Sequence, residues 1–260
     1  MGSPMLFALL LPIVLDAAHA SCGLDHCPIP PLERGRAVAR IRATAAGSGG
    51  YSETFLGGEV RVGPTRLSAL APLLTVHDGD GAQVGLGNAL ANVAVDTPWP
   101  ASIGLQAELP TSSAVVFGDR HVLLLPYAQA EWAGPVQVRG QLGWAFQVGG
   151  ADHGDGHHHH GDHSHGDHHG DAGAGVPINP HTTSELLGRV TVRRAVWRVE
   201  PELGVDVIQE LVDAQQTPLV GLASLGTAVE RVLLRAQVQV PLTEARRNDL
   251  RGLFEANLTF

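Results

Sequence analysis

The sequence predicts an all-β fold, a single antiparallel up-and-down transmembrane β-barrel of about 12 strands. Three observations point to it. From residue 35 onward, apolar residues recur at every second position, the period of strands with two unlike faces. Several runs reach about eleven residues, within the ~9–11 that a membrane crossing takes, whereas strands in soluble folds average about 5–6. The connections between runs alternate short and long, as the two ends of transmembrane barrels do.

Taken in chain order, residues 1–20 read as a signal peptide. Met5 to Leu15 is a continuous apolar run and Ala18-His19-Ala20 supplies an A-x-A cleavage site before Ser21. The run is shorter than the ~20 apolar residues of a membrane helix. A lipoprotein reading with Cys22 acylated is the weaker alternative, because His19 stands where Leu is expected. Residues 21–34 form an N-terminal periplasmic segment holding the only two cysteines, Cys22 and Cys27. In an oxidising compartment the expected outcome is a small disulfide loop between them. The other reading is a metal or redox site of Cys22, His26 and Cys27, which requires the thiols to stay reduced.

Residues 35–260 are the barrel. Turn signals place strands near 35–45, 51–62, 66–76, 82–95, 101–110, 120–132, 135–148, 184–193, 195–209, 218–228, 231–241 and 250–260. The clearest is 135–148, where Val136, Val138, Leu142, Trp144, Phe146 and Val148 oppose Gln137, Arg139, Gln141 and Gln147. In 195–209, Trp197, Val199, Leu203, Val205 and Val207 oppose Arg198, Glu200, Glu202 and Asp206. In 250–260, Leu250, Phe254, Ala256, Leu258 and Phe260 oppose Arg251, Glu255, Asn257 and Thr259. Between 66 and 95, Ala and Leu blur the phase. Gly63-Pro64, Asp96 to Pro100, Ala133-Gly134 and the break near Arg194 make short turns; 77–81, 111–119, 149–183, 210–217 and 242–249 make the other end. Aromatics are 5% of the chain, so any interfacial girdle is thin, with Tyr51, Trp99, Trp132, Trp197 and Phe260 its candidates.

Two stretches resemble a broad family of bacterial outer-membrane barrels, some of them transporters and some associated with phenol degradation. Residues 85–111 (GLGNALANVAVDTPWPASIGLQAELPT) carry a G-x-G-[ND] start and a Leu-Pro-Thr close, with Ser112 where the family usually has Gly. Residues 241–260 (PLTEARRNDLRGLFEANLTF) are similar to its last loop and closing strand. The resemblance implies a barrel in the outer membrane, bounded by lipid, and a passive pore or carrier for a small solute. Phe260, aromatic and terminal in an alternating strand, resembles the signal read by the barrel-assembly machinery.

Alternation alone leaves open which face is inside. The polar faces carry both signs of charge, with Arg61, Arg139, Arg189, Arg193, Arg198, Arg231, Arg235 and Arg251 beside Glu53, Glu59, Glu108, Glu131, Glu200, Glu202, Asp206 and Glu255. In a barrel these line the lumen, either as a selective pore wall or as paired charges filling a narrow interior.

The other candidate chemistry lies within 149–183, expected to be a disordered His/Asp/Gly-rich extracellular loop. His153, His157, His158, His159, His160, His163, His165, His168 and His169 alternate with Asp155, Asp162 and Asp167 and no apolar anchor. Imidazole and carboxylate at this density suit loosely bound, exchangeable Zn²⁺, Ni²⁺ or Cu²⁺; the alternative is neutral low-complexity filler. A net charge of −9, with all 17 cations arginine, gives no footprint for nucleic acid. No Gly-x-Ser-x-Gly elbow, phosphate loop or H-E-x-x-H occurs, so no catalytic residue is expected. The rival architecture is a secreted or periplasmic β-sandwich that buffers metal, its apolar faces packed against each other.

Overall fold

A computed structural model describes residues 35–46, 49–78, 81–114, 117, 121–149, 184–197, 199–211, 217–229, 231–245 and 249–260. The signal-peptide reading, Cys22, Cys27, His26, the His/Asp tract and Arg198 lie outside the described residues. The described chain is strand and turn. In order these are β1 (Gly35–Ala46), β2 (Gly49–Val62), β3 (Thr65–Asp78), β4 (Gly81–Leu86), β5 (Ala89–Asp96), β6 (Ala101–Leu109) and β7 (Val122–Trp132). There follow β8 (Gln137–Val148), β9 (Ser184–Arg193), β10 (Val199–Glu210), β11 (Leu219–Val229), β12 (Val232–Pro241) and β13 (Leu250–Thr259).

Each strand pairs antiparallel with its sequence neighbour, and β1 pairs with β13 to close the ring. Arg36↔Thr259 and Ala45↔Leu250 fix the seam, with the Phe260 amide donating to the Gly35 carbonyl at 3.0 Å. Strands β4 and β5 run one after the other along β3, so the wall has twelve staves rather than thirteen. The continuous strand expected at 82–95 is thus interrupted, and the cause is local. Leu73 faces Leu86 and Leu70 faces Leu90, so Gly87, Asn88 and Ala89 stand against only Ala71 and Pro72. Pro72 has no N–H to donate to the ladder, and the Gly87 amide bonds back to its carbonyl at 3.0 Å. The extra residue is a β-bulge. A Cβ at position 87 would sit 2.1 Å from the Leu74 Cδ1, so any larger residue there requires the Leu74 side chain to move.

The faces are inverted relative to a soluble protein. Ile41, Leu56, Val60, Ile103, Leu142, Val190, Leu203, Leu225, Val238 and Leu258 are exposed on the outer surface. Every Arg, Asp and Glu side chain described within the strands points inward and is buried or half-buried. The sandwich rival needed the apolar faces packed together, and a single closed sheet that turns them outward excludes it. An apolar exterior on a sheet closed by the β1–β13 pairing is what a bilayer requires, since lipid offers backbone groups no partner. No helix among the described residues is long and apolar enough to cross a membrane; this chain crosses with strands.

Candidate functional site

Alternation delivers the polar side chains to one interior, and register decides which of them meet. Along β1, Arg36, Arg40 and Arg42 project inward. Arg36 lies directly opposite Glu59, Arg42 opposite Glu53, and Arg40 donates across the seam to Glu255 at 2.6 Å. Arg36 meets Glu59 at 2.8 Å, and Arg42 also lies over the Phe55 ring, 5.3 Å from its centroid. In the same way Arg189 faces Asp206 across β9 and β10, with two contacts of 2.5 and 2.6 Å.

Toward the short turns the pairs fuse into a belt. Asp96 holds Arg66 at 2.8 Å and Arg61 at 3.0 Å. Glu131 holds Arg139 at 2.6 Å and Arg193 at 2.9 Å. Arg193 reaches Glu200 at 3.1 Å, Arg235 reaches the same oxygen at 3.2 Å, and Arg235 lies 3.6 Å from Glu202. The span from β10 to β12 is bridged over β11, where Gly226 stands between Glu200 and Arg235 in register. A Cβ at position 226 would lie 3.6 Å from the Arg235 Nε. Buried guanidinium and carboxylate groups are tolerable only when paired in this manner.

Toward the long connections apolar side chains share the interior with buried charges such as Arg42, Glu53, Glu185 and Arg251. Leu125, Ala145 and Leu187 pack together with Leu123 and Ile208. Tyr51, Leu74 and Val76 pack around Phe117, which enters from the β6–β7 connection. That connection is anchored on the bulge. The Thr111 hydroxyl accepts from the Ala89 amide (2.8 Å), the Asn88 side chain accepts from the Ser112 amide (3.2 Å), and Ser113 bonds Leu86.

Of the lumen residues expected from sequence, Arg139, Arg189, Glu200, Glu202, Asp206, Arg235, Arg251 and Glu255 all face inward. Arg251 donates to the Tyr51 hydroxyl at 3.4 Å. Arg231 is a correction: it sits exposed in the β11–β12 turn, where its carbonyl accepts from Thr259. Tyr51 is another. It is 1% exposed and faces the interior, so the girdle at the short-turn end consists of Trp99, Trp132, Trp197 and Phe260, all exposed. Trp197 lies in a tight hairpin closed by Val196 and Val199, at φ 58°, and not in the strand expected at 195–209. Sequence reasoning passed over Arg36, Arg40, Arg42, Arg66, Asp96, Glu185 and Glu210. The even spacing of Arg36, Arg40 and Arg42 was the available signal.

No known protein family matches the chain, and no curated protein does. Solved structures do match. A COG4313 outer-membrane channel from Pseudomonas putida F1 aligns over 93% of this chain and 100% of its own, with TM-score 0.58 and 11% identity. The NanC porin aligns over 85% of this chain and 98% of its own, with TM-score 0.50 and 9% identity. At such identities the likeness is one of fold. A closed ring with this fold, whose described outward side chains in the strands are uncharged, is a transmembrane β-barrel.

Proposed function

We propose that the chain is a passive, non-catalytic outer-membrane pore for a small solute, with residues 151–171 gathering divalent metal at its long-loop mouth. The inward turn of every described strand charge carries this reading, because a wall of Arg and carboxylate gives the interior a polar lining in place of an apolar core. The tract joins β8 to β9, whose described ends lie at the long-loop rim, so metal held there, zinc foremost, would be concentrated at the entrance.

A second reading has an observation of its own. The near-complete burial of Arg36, Arg40, Arg66 and Glu255 also fits a structural barrel whose interior is filled and whose tract is neutral. Planar bilayers separate the two. Stepwise conductance from the purified full-length protein is expected, and a membrane that stays silent removes the pore. Deleting residues 152–171 should leave a folded, heat-modifiable barrel but lower cellular metal accumulation when metal is scarce; unchanged accumulation removes the metal role. Metal held by the tract should be released as pH falls through about 6.5, since protonated imidazole cannot ligate.

A further inference from the structure

Glu200 differs from the other carboxylates in the interior ion pairs. Its side chain is 27% exposed, whereas those of Glu59, Glu131, Glu202, Asp206 and Glu255 are 8% or less. One of its oxygens bridges two guanidinium groups, Arg193 Nη1 at 3.1 Å and Arg235 Nη2 at 3.2 Å, longer than the contacts that hold Glu131. Both arginines are almost fully buried, 5% and 3% exposed in their side chains. Arg193 is oriented from behind by Glu131, and Arg235 is threaded over Gly226 with Glu202 beside it. The cations are fixed, and the anion between them is the wet, loosely held partner.

We propose that Arg193 and Arg235 form a binding site for a small oxyanion, a carboxylate or phosphate, in which the Glu200 carboxylate is the resident occupant that an entering anion replaces. The inference rests on the pore reading for its route of access. Two convergent guanidinium forks match the planar or tetrahedral oxygens of such a ligand. Displacement is inexpensive because the Glu200 carboxylate already meets water and can swing into it. The exposed Arg194 and Arg231 stand in the short turns at the same end and add positive field for an approaching anion. Locally, Arg139, Arg193 and Arg235 balance Glu131, Glu200 and Glu202, so an external anion competes with the single charge of Glu200. Removing the Glu200 charge leaves one cation in excess.

The test uses full-length protein in detergent, its fold checked by heat-modifiable migration, with inorganic phosphate as probe. Glu200→Gln should bind phosphate about tenfold tighter than the wild type, and Glu200→Asp, which keeps the charge, within about twofold of it. Adding Arg235→Gln to Glu200→Gln should abolish the gain. Equal binding by wild type and Glu200→Gln, or a gain that survives loss of Arg235, overturns the site. A measurement on the wild type needs no variant to fold. Phosphate should shift the guanidinium NMR signals of Arg193 and Arg235 and leave those of Arg36 and Arg40 in place; uniform shifts, or none, overturn it. Conductance is read separately. A barrel that binds phosphate this way but conducts nothing keeps the site and loses the pore, and the reverse result keeps only the pore.

Discussion

The two halves of the barrel are held together by different means. In the short-turn half, carboxylates that each grip two arginines, such as Glu131 and Asp96, tie strands that are not neighbours, and exposed tryptophans ring the outside. In the long-loop half, Leu, Tyr and Phe side chains fill much of the interior, helped by a connection that folds back onto the wall. Among the described residues the exterior there carries Trp144 tilted against Phe146, with ring centroids 4.7 Å apart. The difference teaches that fused charge pairs tie the short-turn end, whereas at the long-loop end apolar packing shares the interior with separate pairs such as Arg42–Glu53.

The contrast breaks hardest at Glu131. Glu131→Ala leaves Arg139 and Arg193 buried without their shared acceptor and should cost about 3–5 kcal/mol, read by urea unfolding in lipid vesicles. A loss below about 1 kcal/mol would mean that the belt behaves like surface ion pairs. Next in size is Leu142→Arg on the lipid face at mid-strand, where a cation should cost about 2–4 kcal/mol in the same assay. If the protein tolerates it without loss, the assignment of the exterior to lipid fails. The smallest effect belongs to Tyr127, whose ring lies over Gly104 and whose hydroxyl donates to the Asn92 side chain at 3.0 Å. Tyr127→Phe keeps the packing and removes one hydrogen bond, a change of about 1 kcal/mol. A loss as large as that of Glu131→Ala would mean that one neutral hydrogen bond at mid-strand counts as much as the charged belt.

Strand positions were legible because the period-two pattern is local. The expected 135–148, 184–193 and 218–228 lie close to β8, β9 and β11. The phase blurred at 66–95 for a physical reason. Val84 and Leu86 face lipid at even positions, Val93 and Val95 at odd ones, and the bulge between them shifts the count. The inward residues of β10 and β13 followed from alternation, but their partners did not. Arg40 meets Glu255 across the closing seam, and Arg235 meets Glu200 over an intervening strand. Such pairs depend on register and on ring closure, which no single segment encodes. Tyr51 was misplaced for the same reason, since Phe117, Leu74 and Val76 that enclose it come from other segments.

The extra residue at Gly87-Asn88 also governs how this chain can change length. A one-residue deletion at the bulge would set two residues against two, and the pairings on either side would fall into one continuous register. Val84 and Leu86 would keep the face they share with Val93 and Val95, whereas a single deletion elsewhere in this stave would turn one of those pairs inward although no residue had been substituted. The stave on either side therefore accepts exchanges of one apolar residue for another far more readily than it accepts a gain or loss of a single codon.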